Sequence, residues 1–233
     1  MLKISNLNKT YANGKVAVKD LNLSVEAGDI CAFIGPNGSG KTTTIRCVVG
    51  TLDFNAGEIL IDNHSIKNEP LACKNITAYI PDNPDVYTTL TGNEYLNFIA
   101  SVYKISANDR DEAIKYYADQ WELTKDLGLP IKSYSHGMRQ KLVLISAFMR
   151  KPKLLVLDEP FVGLDPQASF VLKNIMHDFV KNGGAIFYST HVLEVAEKLC
   201  NKVVMIKNGI VIKQGTMQEI KADKSLEEVF LNA

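Results

Sequence analysis

The chain has 233 residues, 46% of them apolar and 22% charged, which suits one large domain or a domain with a nested subdomain. Lysine plus arginine equals aspartate plus glutamate at 26 each, so global charge gives no support to nucleic-acid binding. Cys31, Cys47, Cys73 and Cys200 lie far apart with no C-x-x-C pair, which argues against a zinc site or a disulfide framework and for reduced thiols.

The opening stretch MLKISNLNKTY lacks the apolar run of a signal peptide. LKISNL and LNLSVE alternate over short spans, which predicts a small antiparallel sheet beside the main one. Five apolar runs read as strands: DICAFI (29–34), ITAYI (76–80), KLLVLD (153–158), AIFYS (185–189) and KVVMIK (202–207). Helical patterns separate most of them, so the expectation is an α/β fold with a mainly parallel sheet. ITAYI alternates like a half-buried strand and stops at Pro81 and Pro84, which bracket Asp82 and Asn83. A surface turn and an aspartate reaching into a site are both open readings there.

Residues 91–150 contain no convincing strand. Thr91 and Glu94 form a capping-box pattern, and Met138, Leu142, Ile145 and Met149 recur at helical spacing. A helical subdomain over 84–150, nested in a domain spanning 1–233, is expected. Arg139 and Lys141 read as a solvated helix face. The C-terminal SLEEVFL reads as an amphipathic turn or two packed on the core, with no room for an added regulatory domain. Apolar runs such as LVLISAFM (142–149) are too short to span a bilayer, so at a membrane another chain would supply the span. There are no internal repeats, low-complexity segments or Gly/Ser linkers.

GPNGSGKT (35–42) fits G-x-x-x-x-G-K-[ST] between a predicted strand and a helical segment. Phosphates need a loop without side-chain obstruction, and Gly35, Gly38 and Gly40 supply it around Pro36, Asn37 and Ser39. The helix start, with Thr43, adds positive potential. Lys41 would reach the β- and γ-phosphates, and Thr42 would hold Mg²⁺. The strand LLVLDEP ends in Asp158 and Glu159, at the strand end where α/β proteins bind ligands. Asp158 would orient Mg²⁺, and Glu159 would polarise the attacking water. These two motifs leave several P-loop classes open: N-K-x-D, needed for guanine, is missing, since the later Asn-Lys at 201 lacks the aspartate, while composition does not exclude a nucleotide kinase. In SYSHGMRQK (133–141), Ser135 is a good N-cap and Gly137 lets a phosphate approach, which makes a second anion site. Two phosphate sites and one nucleotide per chain point to a dimer.

With these motifs in this order, the whole chain resembles the ATP-binding cassette (ABC) ATPases, the motor subunits of membrane transporters. YSHGM stands where that family has L-S-G-G-Q, matching at Ser135 and Gly137 and departing at Tyr134, His136 and Met138. His136 is read as a solvated variant of the signature. GLDP (163–166) is similar to the family's D-loop, which implies Asp165 at a dimer interface. STH (189–191) implies a switch histidine, His191, and Tyr11 stands where the family often stacks an aromatic on adenine. Asp82 occupies the position of a glutamine that meets Mg²⁺ and water, so the resemblance implies a metal-facing and catalytic role for it. Two ATP·Mg²⁺ between two copies, or with a different ATPase subunit, would drive integral membrane permease subunits. The chain would sit in the cytoplasm on the inner face of the membrane. The spacing looks most like the branch exporting peptides or antibiotics. A scaffold ATPase outside transport and a nucleotide-sensing module remain as alternatives.

Overall fold

The computed structural model describes residues 1–232. The chain opens with an antiparallel pair, β1 (Leu2–Thr10) and β2 (Val16–Val25). β3 (Ile30–Ile34) is buried at every position and leads through the glycine loop into α1 (Lys41–Val48). β4 (Ala56–Ile61) returns to pair with β1 and the short β5 (His64–Ser65) pairs with β4, giving a four-stranded sheet in the order β2-β1-β4-β5. α2 (Pro70–Ile76) then feeds β6 (Thr77–Ile80).

Three helices follow: α3 (Gly92–Val102), α4 (Ala107–Gln120) and α5 (His136–Met149). α3 starts at the expected capping box: Thr91 accepts from the Glu94 N–H, and Glu94 accepts from the Thr91 N–H. The chain then alternates through β7 (Leu154–Asp158), α6 (Pro166–Lys181), β8 (Ala185–Thr190), α7 (Leu193–Leu199) and β9 (Lys202–Lys207). β10 (Ile210–Thr216), α8 (Met217–Lys221) and α9 (Leu226–Leu231) finish it. In α9, Leu226 and Val229 are buried.

The second sheet has the order β10-β9-β3-β8-β7-β6, parallel except for β10. Alternation along each strand divides two apolar layers. Cys31, Phe33, Leu154, Val156, Phe187 and Val204 face α1 and the antiparallel sheet. Ala32, Ile34, Leu155, Leu157, Tyr188 and Met205 face the helical side. Strand β6 departs from the half-buried expectation: Thr77, Ala78 and Ile80 are all buried, because a parallel sheet is covered on both faces. All four cysteines are free and buried. The carboxyl ends of β3, β8, β7 and β6 lie side by side at one edge, which collects the glycine loop, His191, Asp158, Glu159 and Asp82.

Candidate functional site

A cleft of about 290 Å³ opens at that edge. Asn37, Gly38, Gly40, Lys41, Thr42 and Thr43 line it together with Tyr11, Asp82, Asp158 and Glu159. Two of the loop glycines are sterically required. A Cβ on Gly35 would lie 2.3 Å from the Ile206 carbonyl oxygen, and one on Gly40 would lie 2.4 Å from that of Ala17. Gly40 also has φ +109°, a left-handed backbone that favours glycine. Gly35, Pro36 and Ser39 shape the loop from behind. The Ser39 N–H donates to the Pro36 carbonyl at 3.2 Å, and the Ser39 carbonyl accepts from Gly209 N–H at 2.9 Å. The Lys41 ammonium donates to the carbonyls of Gly35 at 2.7 Å and Pro36 at 3.3 Å. Burial lowers its pKa, against the opposing pull of Glu159 and Asp158.

Asp158 is 3% exposed and accepts a hydrogen bond from the Ser189 hydroxyl. The Glu159 N–H donates to the Ser189 carbonyl at 3.2 Å and its hydroxyl at 3.3 Å. Ser189 therefore ties both carboxylate residues together, a role that the reading of STH for its histidine alone missed. Glu159 has φ +51°, a left-handed conformation that costs a non-glycine residue about 1–2 kcal/mol. Strain of this kind persists where the surroundings over-determine it. The Glu159 carboxylate meets His191 Nδ1 at 2.9 Å.

Asp82 follows β6 and comes into the same cleft. Its pKa is raised by burial first and then by the Asp158 and Glu159 carboxylates, with His136 and His191 pulling the other way. Asp158, Asp82 and the Thr42 hydroxyl bring hard oxygens of the kind Mg²⁺ takes into one cleft, with no ready three-carboxylate cage among the described residues, which fits a cation whose shell is completed by nucleotide phosphates. Tyr11 sits on the turn closed by Tyr11 N–H to Lys15 O at 2.9 Å, and its hydroxyl lies 3.1 Å from Thr43 Oγ1.

Ser135 caps α5 as expected, accepting from the Met138 N–H at 3.2 Å. Ser135, Gly137 and Asp165 lie outside the lining of this cleft. Asp165 caps α6, accepting from Ala168 N–H at 2.7 Å. The solvated face expected for Arg139 and Lys141 does not occur. Lys141 pairs with Asp165 at 3.3 Å because α5 packs along the loop after Glu159, where the Gln140 amide reaches the Pro160 carbonyl, and Arg139 Nε is buried.

Residues 18–162, more than half of the chain, match the family described as ABC transporter. The chain belongs to that family. It is 31% identical to the ABC-type transporter ATP-binding protein EcsA of Bacillus subtilis, over 99% of this chain and 95% of that one. It is likewise 31% identical to the linearmycin resistance ATP-binding protein LnrL of the same organism, over 94% of this chain and 70% of the relative. A solved ATP-binding subunit of an ABC transporter superposes with a TM-score of 0.95 at 32% identity, covering 100% of this chain and 98% of that one. This ABC ATP-binding subunit is an ATPase that uses ATP with Mg²⁺.

Proposed function

We propose that this ABC ATPase powers export through separate permease subunits, with two ATPase subunits closing on two ATP·Mg²⁺. The observation that carries the reading is the convergence of the glycine loop, Asp158 and the Glu159–His191 pair on one cleft. The loop N–H groups and Lys41 bind the phosphates. To do so, Lys41 exchanges its bonds to the Gly35 and Pro36 carbonyls for phosphate oxygens, and its buried position sharpens that attraction. Thr42, Asp158 and Asp82 hold Mg²⁺, which when bound screens phosphate charge. Glu159 accepts the proton of the attacking water as general base. His191 donates from its ring to hold Glu159 and stands ready for the γ-phosphate. Tyr11 stacks on adenine.

Ser135 and Gly137, at the N-terminus of a helix outside this cleft, suit the phosphates of a nucleotide held by a second subunit. Asp165 lies at the same subunit boundary. Permease subunits supply the membrane span and the chain works on the inner membrane face, a reading supported by the family match; no helix among the described residues is long and apolar enough to cross a membrane. The likeness to a linearmycin resistance ATP-binding protein supports the export direction. Co-purification with a multi-span membrane protein, and stimulation of phosphate release by an exported compound, are the expected results. A chain that hydrolyses ATP fully without any membrane partner, and binds none, would overturn the transport reading.

A further inference from the structure

The first turns of α5 grip the loop that follows Glu159. At φ +81°, a Cβ on Gly163 would lie 2.2 Å from His136 Cδ2 and 2.6 Å from its Nε2. The imidazole therefore rests directly against the Gly163 α-carbon. One residue on, a Cβ on Gly137 would lie 2.9 Å from the Gly163 carbonyl oxygen. The Gln140 amide reaches the Pro160 carbonyl at 3.5 Å, and Lys141 pairs with Asp165 at 3.3 Å. The loop is held at residues 160, 163 and 165, with Glu159 at its head in a left-handed backbone.

We propose that His136 is a positioning residue for ATP hydrolysis, packing its ring on Gly163 to fix the loop that aims Glu159. The ring rather than its charge does this. The contact is van der Waals, between an imidazole edge and a position where any side chain would collide. Gly163 and His136 are thus a matched pair, one giving up a side chain so that the ring edge of the other can fit against it. Orientation of α5 is thereby passed to the base. A small misplacement of a reacting group is enough to slow turnover strongly.

The inference rests on Glu159 acting as the base, and the test separates the two. Steady-state phosphate release and ATP binding are measured on the purified chain and its variants. His136→Ala is expected to lower kcat about tenfold with KM for ATP within about twofold. His136→Phe keeps a ring on Gly163 and stays within about threefold of wild type. Because His136 is exposed, both variants are expected to fold, and thermal unfolding checks it. Gly163→Ala should lose activity by itself, and the double variant His136→Ala/Gly163→Ala should be no worse than the poorer single one, since both break one contact. Wild-type kcat in His136→Ala overturns the proposal. So does a His136→Phe as slow as His136→Ala, which would mean that an imidazole nitrogen acts directly on nucleotide. If Glu159→Gln turns over normally, the base reading fails instead.

Discussion

Replacing Ser189 with alanine removes one hydroxyl from the centre of the site. That hydroxyl donates to Asp158, which is 3% exposed, and accepts from the Glu159 N–H at 3.3 Å. Ser189 is itself fully buried, so water does not reach in to replace it. A hydrogen bond to a charged group contributes about 1.5–3 kcal/mol, and the carboxylate left behind is short of a donor. The Glu159 N–H keeps the Ser189 carbonyl at 3.2 Å, so the left-handed turn survives. For a chain of this size each kcal/mol moves Tm by about 2–4 °C, so Tm should fall by about 3–12 °C without nucleotide. Circular dichroism melting measures it. Mg²⁺ with a non-hydrolysable ATP analogue should narrow the gap, because a cation beside Asp158 takes over from the lost donor. An unchanged Tm in the absence of nucleotide would refute the reasoning about how Asp158 is held.

Gly40→Ala should abolish ATP binding while leaving the core folded, since its methyl would sit 2.4 Å from the Ala17 carbonyl and force the loop to move; titration with a fluorescent ATP analogue checks this. Asp165→Ala should destabilise the chain by about 1 kcal/mol through loss of the α6 cap. The backbone bond from Ala168 and the Lys141 ammonium hold the Asp165 carboxyl below its ordinary value of 3.8. Its contribution is therefore present above that value and lost as pH falls through the lowered folded pKa, so wild type and Asp165→Ala should converge in acid melts. Asp82→Asn should need more Mg²⁺ for half-maximal phosphate release, as it removes one anionic oxygen from the cleft. An unchanged Mg²⁺ requirement would leave Asp82 a turn residue only.

Much of this architecture is legible in the sequence because parallel strands buried on both faces write themselves as continuous apolar runs. ICAFI, LLVLD and AIFYST are buried at every position. Strands β4 and β10 were not legible for the opposite reason. β4 begins with the exposed Ala-Gly-Glu, and no residue of β10 is fully buried. Both exist because a neighbour offers backbone partners, β1 in one case and β9 in the other. The glycine loop and the Asp158–Glu159 pair announce themselves through fixed spacing. Ser189 does not, because its partners Asp158 and Glu159 are about thirty residues away in sequence and adjacent only through β7–β8 pairing. The same holds for Lys141, whose charge looks solvated until α5 is laid beside Asp165.

The most direct test of the account is Glu159→Gln, with ATP binding and phosphate release measured on the same sample. A base contributes about 10²–10⁴-fold, so release should fall by that factor while ATP affinity stays close to wild type. Lys41→Ala run beside it should instead lose affinity for nucleotide. Wild-type release from Glu159→Gln would contradict the claim that this cleft hydrolyses ATP with Glu159 as its base.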